Sequence, residues 1–171
     1  MLLRHLLAIA LLPFTVTVLV PLWVARRNGT VALVGDEPVE LLIQGIGLAI
    51  LVVGLVLFVA SLRRFATEGK GTLAPWDPPT QFVVRGPYRY VRNPMISGVI
   101  LVLVAESLLL LSRPHAAWAA AVWVINLVYI PLFEEPQLER RFGEPYREYC
   151  AHVRRFLPRL RPYVNLRPAG E

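Results

Sequence analysis

The run Gly86-Pro87-Tyr88-Arg89-Tyr90-Val91-Arg92-Asn93-Pro94-Met95-Ile96-Ser97-Gly98 mixes turn-forming, basic and aromatic residues and leads straight into an apolar segment. Arg89 and Arg92 can hold a carboxylate or another anion through paired N–H donors. Pro94 suits the first turn of a helix, where its missing N–H is not needed. The N-terminus so formed presents unpaired N–H groups and the positive end of the helix dipole. Further along, Glu134-Glu135 offers adjacent carboxylates suited to an ammonium group or to ribose hydroxyls. Brought together, these groups could hold a charged, water-soluble ligand.

The elements that must position them are apolar. Of 171 residues, 56% are hydrophobic and 18% charged, and the mean hydropathy is +0.52. A bilayer-crossing helix needs about 20 apolar residues, and the chain holds four runs of that order, at 6–25, 41–62, 94–112 and 116–133. We therefore expect an all-α, polytopic membrane protein forming one domain of four transmembrane helices. A formal charge of +6 could suggest nucleic acid in a soluble protein. Here the cations flank apolar runs, which points to the lipid bilayer as partner and excludes a nucleic-acid binder. The single cysteine, Cys150, excludes an internal disulfide and a cysteine-based metal cluster, and His5, His115 and His152 are too scattered for a metal site.

In the first run Pro13 and Pro21 predict kinks, with neighbouring helices re-satisfying the freed carbonyls. The second run carries Gly47 and Gly54 on one face, and Gly45 with Ala49 as a further small pair, suited to close helix approach. The loop 63–93 is too rich in Gly and Pro for a regular element, while Trp76, Phe82, Tyr88 and Tyr90 place it at the membrane interface. Arg113-Pro114-His115 makes the third and fourth runs an antiparallel hairpin, and Glu134-Glu135-Pro136 is expected to end the fourth. Leu138, Phe142, Tyr146, Tyr149 and Val153 form an apolar helical stripe interrupted at Gly143-Glu144-Pro145. It predicts two short amphipathic helices, about 135–155, along the membrane surface. Beyond Pro158 the tail is expected to be loose.

With four spans, all of the 18 Lys and Arg except Arg26, Arg27 and Arg113 fall on one side, which makes both termini and the 63–93 loop cytoplasmic. The hairpin then sets the start of the third run, with Arg92-Asn93-Pro94, beside the end of the fourth, with Glu134-Glu135. Glu106 is an intramembrane carboxylate, but its 12-residue separation from Pro94 is about 18 Å of helix. Asn126 is a similar polar group within the fourth run.

These residues carry a resemblance. Tyr88-Arg89-x-x-Arg92-Asn93-Pro94-x-x-x-Gly98, followed by Glu134-Glu135-x-x-Leu138-x-x-x-Phe142-Gly143-x-x-Tyr146-x-x-Tyr149, resembles the isoprenylcysteine carboxyl methyltransferase family and the wider group of membrane phospholipid methyltransferases. The match spans roughly Gly69 to Pro158. It implies a membrane enzyme that binds S-adenosylmethionine on the cytosolic side. By position, the family's cofactor pocket maps to Arg92, Asn93, Pro94, Ile96, Gly98, Glu134 and Glu135. Tyr88, Arg89 and Met95, in the same stretch, join the candidate cofactor-binding set, with Arg92 and Glu135 as the catalytic candidates. Asn93 stands where the family usually has His, and cannot carry a proton near neutral pH. Ile96 stands where Tyr is usual, without a hydroxyl.

Methyl transfer from a sulfonium needs mainly alignment in a dry site, and positioning can supply roughly 7–11 kcal/mol of the barrier. No histidine is placed to deprotonate an amine, which favours a lipophilic acceptor that is already ionised, such as an isoprenylcysteine-type carboxylate. The alternatives are a nicotinamide-dependent membrane reductase of related topology and a non-catalytic membrane scaffold or sensor.

Overall fold

The computed structural model describes residues 10–30, 34–68 and 82–164, and every regular element among them is helical. A stretch of wide helical turns, Ala10–Leu19, continues into α1 (Val20–Asn28). Then follow α2 (Pro38–Glu68), a 3₁₀ turn (Gly86–Arg89), α3 (Pro94–Leu109) and α4 (Arg113–Tyr129). A second wide turn (Ile130–Glu134) leads into α5 (Glu135–Phe142), and α6 (Glu144–His152) follows. Trp76 and the start of the first expected span lie outside the described residues.

Two helices, rather than the expected four, are long and apolar enough to cross a membrane. They are Pro38–Arg64, with a mean hydropathy of 2.7, and Arg113–Phe142, with 1.8. The third run makes a helix of 16 residues, about 24 Å long and so shorter than a hydrocarbon core of about 30 Å. The first is divided between wide turns and a short α-helix. Along α2 and α4, Leu42, Val56, Ile125, Val128 and Leu132 are exposed. That much apolar surface on long helices suits lipid rather than water.

The helical layer is held by close backbone contact. A Cβ on Gly98 would lie 2.9 Å from the Gly54 carbonyl oxygen and 2.9 Å from the Phe58 nitrogen, so glycine at this crossing lets α2 and α3 touch. Gly47 meets Leu108 and Leu109 in the same way, whereas Gly45 faces open space and Ala49 is exposed, so among the described residues no helix packs on the Gly45–Ala49 pair. Between α3 and α4, Val99, Leu103, Ala119 and Val122 form the buried core, with Val16, Phe58 and Trp118 around it. Pro21 cannot donate to the carbonyl five residues earlier in a wide-turn helix, that of Val16. The Trp118 indole N–H supplies that hydrogen bond at 3.1 Å, so a neighbouring helix re-satisfies the carbonyl. His115 ties the same helices together, with Nε2 3.1 Å from the Pro21 carbonyl oxygen and Nδ1 2.7 Å from the Ser112 hydroxyl.

Four boundaries differ from expectation. Arg113-Pro114-His115, expected as the turn, opens α4, where Pro114 suits the first helical turn, and the chain reverses at 110–112. α2 runs on to Glu68, past the expected loop start at Arg63. Glu134-Glu135-Pro136 does not end the fourth run, because the wide turn Ile130–Glu134 accommodates Pro131 and Pro136 and the chain stays helical into α5. Residues 159–164 of the tail are not loose, while 165–171 lie outside the described residues. Arg159 N–H donates to the Tyr90 carbonyl at 2.9 Å and Tyr163 N–H to the Arg89 carbonyl at 2.8 Å, with the Tyr163 side chain buried. The expected break at Gly143 is present, with φ at 60°. The apolar stripe of α5 and α6 packs inward, where Tyr146, Tyr149 and Val153 form a buried cluster with Tyr163, Phe82 and Val84. Its arginines, Arg140, Arg141 and Arg147, are exposed on the other side.

Candidate active site

The start of α3, the start of α5 and the segment after α6 meet at one corner. Pro94 is fully buried in the first turn of α3. Just before it, Arg92 N–H donates to the Arg154 carbonyl at 2.9 Å and Asn93 N–H to the Arg155 carbonyl at 3.2 Å. The Asn93 side-chain amide reaches the same Arg155 carbonyl at 3.3 Å. These bonds, with those of Arg159 and Tyr163, lay residues 154–163 along the 89–93 segment as a strap.

Glu135 sits at the centre. Its Oε1 accepts from Arg155 Nε at 2.8 Å and its Oε2 from Arg155 Nη2 at 2.7 Å, a bidentate pair. Arg92 Nη1 approaches Oε1 at 3.1 Å and also lies 2.8 Å from Cys150 Sγ. The Arg92 and Glu135 side chains are only 13% and 18% exposed, so this charge cluster is largely shielded from solvent screening. The Arg155 guanidinium is held above its ordinary pKa, chiefly by its hydrogen bond to Glu135. Around the cluster, Tyr149 donates its hydroxyl to the Tyr88 carbonyl at 2.6 Å. Burial, and then the Glu134 carboxylate, hold the Tyr88 phenol above its ordinary pKa; burial does the same first for Tyr149.

Polar groups here are left without partners among the described residues, Arg159 Nη1 on the strap being one. Arg92 Nε is a buried donor with no hydrogen bond among the described residues. Glu134 is half-buried and makes no hydrogen bond or ion pair there. Buried polar groups are nearly always satisfied, so an orphaned guanidinium N–H marks a place where a ligand's oxygen would fit.

The sequence-predicted residues thus separate. Arg92, Asn93 and Glu135 are brought together, with Tyr88 and Glu134 beside them. Met95 and Ile96 are half-buried on the first turn of α3. Gly98 faces α2 at the helix crossing. Arg89 turns away, donating through Nε to the Tyr163 carbonyl at 2.7 Å. Arg155 was not singled out from the sequence, although one signal was available. α5 and α6 are nearly equal in length and joined at a single glycine, so a hairpin there would return the chain to Glu135.

Residues 42–145, more than half the chain, match the family described as phospholipid methyltransferase. The chain belongs to the phospholipid methyltransferase family. No curated protein and no solved structure matches it. The family match includes Arg92, Asn93, Glu134 and Glu135 and ends at Pro145, so the strap that carries Arg155 lies outside it. Membership, together with two long apolar helices, makes this a membrane protein of a methyltransferase family. Phospholipid methyltransferases of this type generally use S-adenosylmethionine. The donor set at the corner suits that cofactor, with an unpartnered guanidinium N–H for its carboxylate and an unpartnered carboxylate for its ammonium or ribose.

Proposed function

We propose that this chain is a four-span membrane methyltransferase that moves a methyl group from S-adenosylmethionine to a lipophilic acceptor at the cytosolic face. The observation that carries this reading is the pair of unpartnered groups, Arg92 Nε and Glu134, beside the Arg92–Glu135–Arg155 cluster at one end of the α3–α4 hairpin. Arg92 would hold the cofactor's carboxylate and Glu134 its ammonium or ribose. Glu135, fixed by Arg155, holds the Arg92 guanidinium in place, and Asn93 anchors the strap that closes the corner. Pro94, Met95 and Ile96 would line the apolar side. When bound, the cofactor supplies an electrophilic methyl group on a sulfonium. The chain's own task is to align it, exclude water and admit an acceptor from the bilayer.

In the four-span topology α3 crosses with its partner helices although it is short, and 154–163 and 82–93 both lie on the cytosolic side. An isoprenylcysteine-type carboxylate is the acceptor we favour. It is already ionised, and among the described residues no histidine is bonded to Arg92, Asn93, Glu134 or Glu135, His115 pairing with Ser112 and Pro21 and His152 facing Tyr163 and the Glu148 carbonyl.

The test is equilibrium binding of S-adenosylmethionine to the full chain in nanodiscs, alongside Glu134→Gln and Arg92→Lys. Micromolar binding, weakened by both substitutions in samples that stay folded, supports the reading. Arg92→Lys keeps the charge but removes the Nε–H donor. No binding at millimolar cofactor would overturn it, and retained binding of a reduced dinucleotide would point to the reductase instead.

A further inference from the structure

A second set of arginines meets away from this corner. Arg64, at the end of the apolar stretch of α2, and Arg85 and Arg89, around the 3₁₀ turn, line an open cleft of about 370 Å³ with Val84, Gly86, Tyr163 and Val164. Three elements distant in sequence supply the walls. Gly86 sits at φ +57°, and the Arg64 side chain lies across it, with Nε 3.2 Å from where a Cβ would be. A residue larger than glycine would be strained at this φ and would press the Arg64 side chain aside.

The charge of this cleft is only partly balanced, since of its three arginines Arg64 alone has a carboxylate against it among the described residues. None of the described residues that line it is acidic. Arg64 pairs with Glu68 at 2.8 Å, one turn on in the same helix, and its side chain is still 49% exposed. Among the described residues the Arg89 side chain donates to a carbonyl, that of Tyr163, and to no carboxylate. Arg85 is exposed. Like charges converging on one concavity raise its potential and favour an anion. The depth is informative too. Arg64 closes a 27-residue apolar helix, which places the cleft at the membrane–water boundary, where lipid phosphates sit. Guanidinium forks match phosphate oxygens, and Tyr163 and Val164 offer an aromatic and apolar wall suited to the glycerol end of a lipid.

We propose that this cleft binds the phosphate of an anionic glycerophospholipid, held as an anchoring lipid separate from the methyl-transfer corner. The inference rests on the membrane placement of α2 and not on the cofactor site. It gives the strap a second role, since Tyr163 closes both the aromatic cluster and the cleft.

Native mass spectrometry of the full chain, released from detergent micelles doped with phosphatidylglycerol or with phosphatidylcholine of the same acyl chains, tests it. Inorganic phosphate is the soluble competitor. Wild type should retain phosphatidylglycerol in preference, and Arg64→Gln/Arg85→Gln should weaken it roughly thirty-fold. Arg64→Lys/Arg85→Lys, which keeps both charges, should retain most of the preference. Equal retention by wild type and the glutamine variant would overturn the proposal. So would displacement of the lipid by inorganic phosphate at concentrations where both bind, which would assign the cleft to a soluble anion. S-adenosylmethionine binding read on the same samples separates the two readings, because lipid retention without cofactor binding sinks only the transferase.

Discussion

Two groups of arginines serve opposite ends in this molecule. Arg92 and Arg155 converge on one carboxylate, Glu135, at 3.1 Å and 2.7 Å in a largely buried setting. Arg64, Arg85 and Arg89 converge on an open cleft with no acidic residue among its described lining. In the first group charge is neutralised inside the protein and joins α3, α5 and the strap. In the second it faces outward and is left for a ligand. The contrast teaches that an arginine's type and membrane depth do not assign its role; what decides is whether a carboxylate from another element is shared between the cations, as Glu135 is, or only one lies a turn along the same helix, as Glu68 does beside Arg64.

The largest expected effect follows from removing that carboxylate. Glu135→Ala leaves the largely buried Arg92 guanidinium without its carboxylate and beside that of the more exposed Arg155, and should cost about 2–3 kcal/mol of stability together with loss of cofactor binding. The thermal midpoint in nanodiscs reads the first and titration with S-adenosylmethionine the second. An unchanged midpoint would break the comparison, since it would mean that Glu135 neutralises nothing the fold depends on.

Next in size is the strap side of the pair. Arg155→Lys keeps the charge but loses the fork that binds both carboxylate oxygens, for an expected loss of about 1 kcal/mol. A double-mutant cycle with Glu135→Gln should show a coupling of about 0.5–3 kcal/mol. Hydrogen exchange gives the local readout. The Arg92 and Asn93 amides donate to carbonyls of residues 154 and 155, so both should exchange faster in Arg155→Lys if the pair holds the strap down. Unchanged protection would assign the strap's docking to Tyr163 and the backbone bonds alone.

The apolar layer was legible in the sequence because its determinants are periodic and local. Gly47 and Gly54 mark the face where α2 meets α3, and Gly143 marks the break between α5 and α6; the hairpin was legible but its turn falls at 110–112, and Gly98, read for the cofactor pocket, packs at the α2–α3 crossing. Apolar length alone overstated the number of clear spans, since α3 stops at Leu109 instead of reaching Ser112. Leu111 has a positive φ of 48° at the turn. At the corner, Arg92 and Glu135 were legible from the hairpin. Tyr163 was not, because its bonds to Arg89 run through backbone carbonyls, which any residue can supply, and Arg155 was not, because its side-chain fork reaches Glu135 only after the chain doubles back between α5 and α6. A Pro-rich, arginine-rich tail reads as loose when those partners are invisible, and the wide turn at Ile130–Glu134 hides equally well behind two prolines.

The smallest expected effect is the most diagnostic. Arg85 is exposed and contributes to no ion pair among the described residues, so Arg85→Gln should shift stability by no more than about 0.5 kcal/mol. If three cations repel one another in the cleft, removing one could even raise the midpoint slightly in lipid-free detergent. In nanodiscs containing phosphatidylglycerol the sign should reverse, because the wild type gains the binding energy of its lipid and the variant gains less. That difference between lipid conditions should shrink as salt rises, the cleft being open to screening, while the Glu135→Ala penalty, set in a more buried cluster, should change less. A midpoint for Arg85→Gln that falls equally in detergent and in anionic nanodiscs would place Arg85 with Arg92 and Arg155 as a cation the fold itself requires.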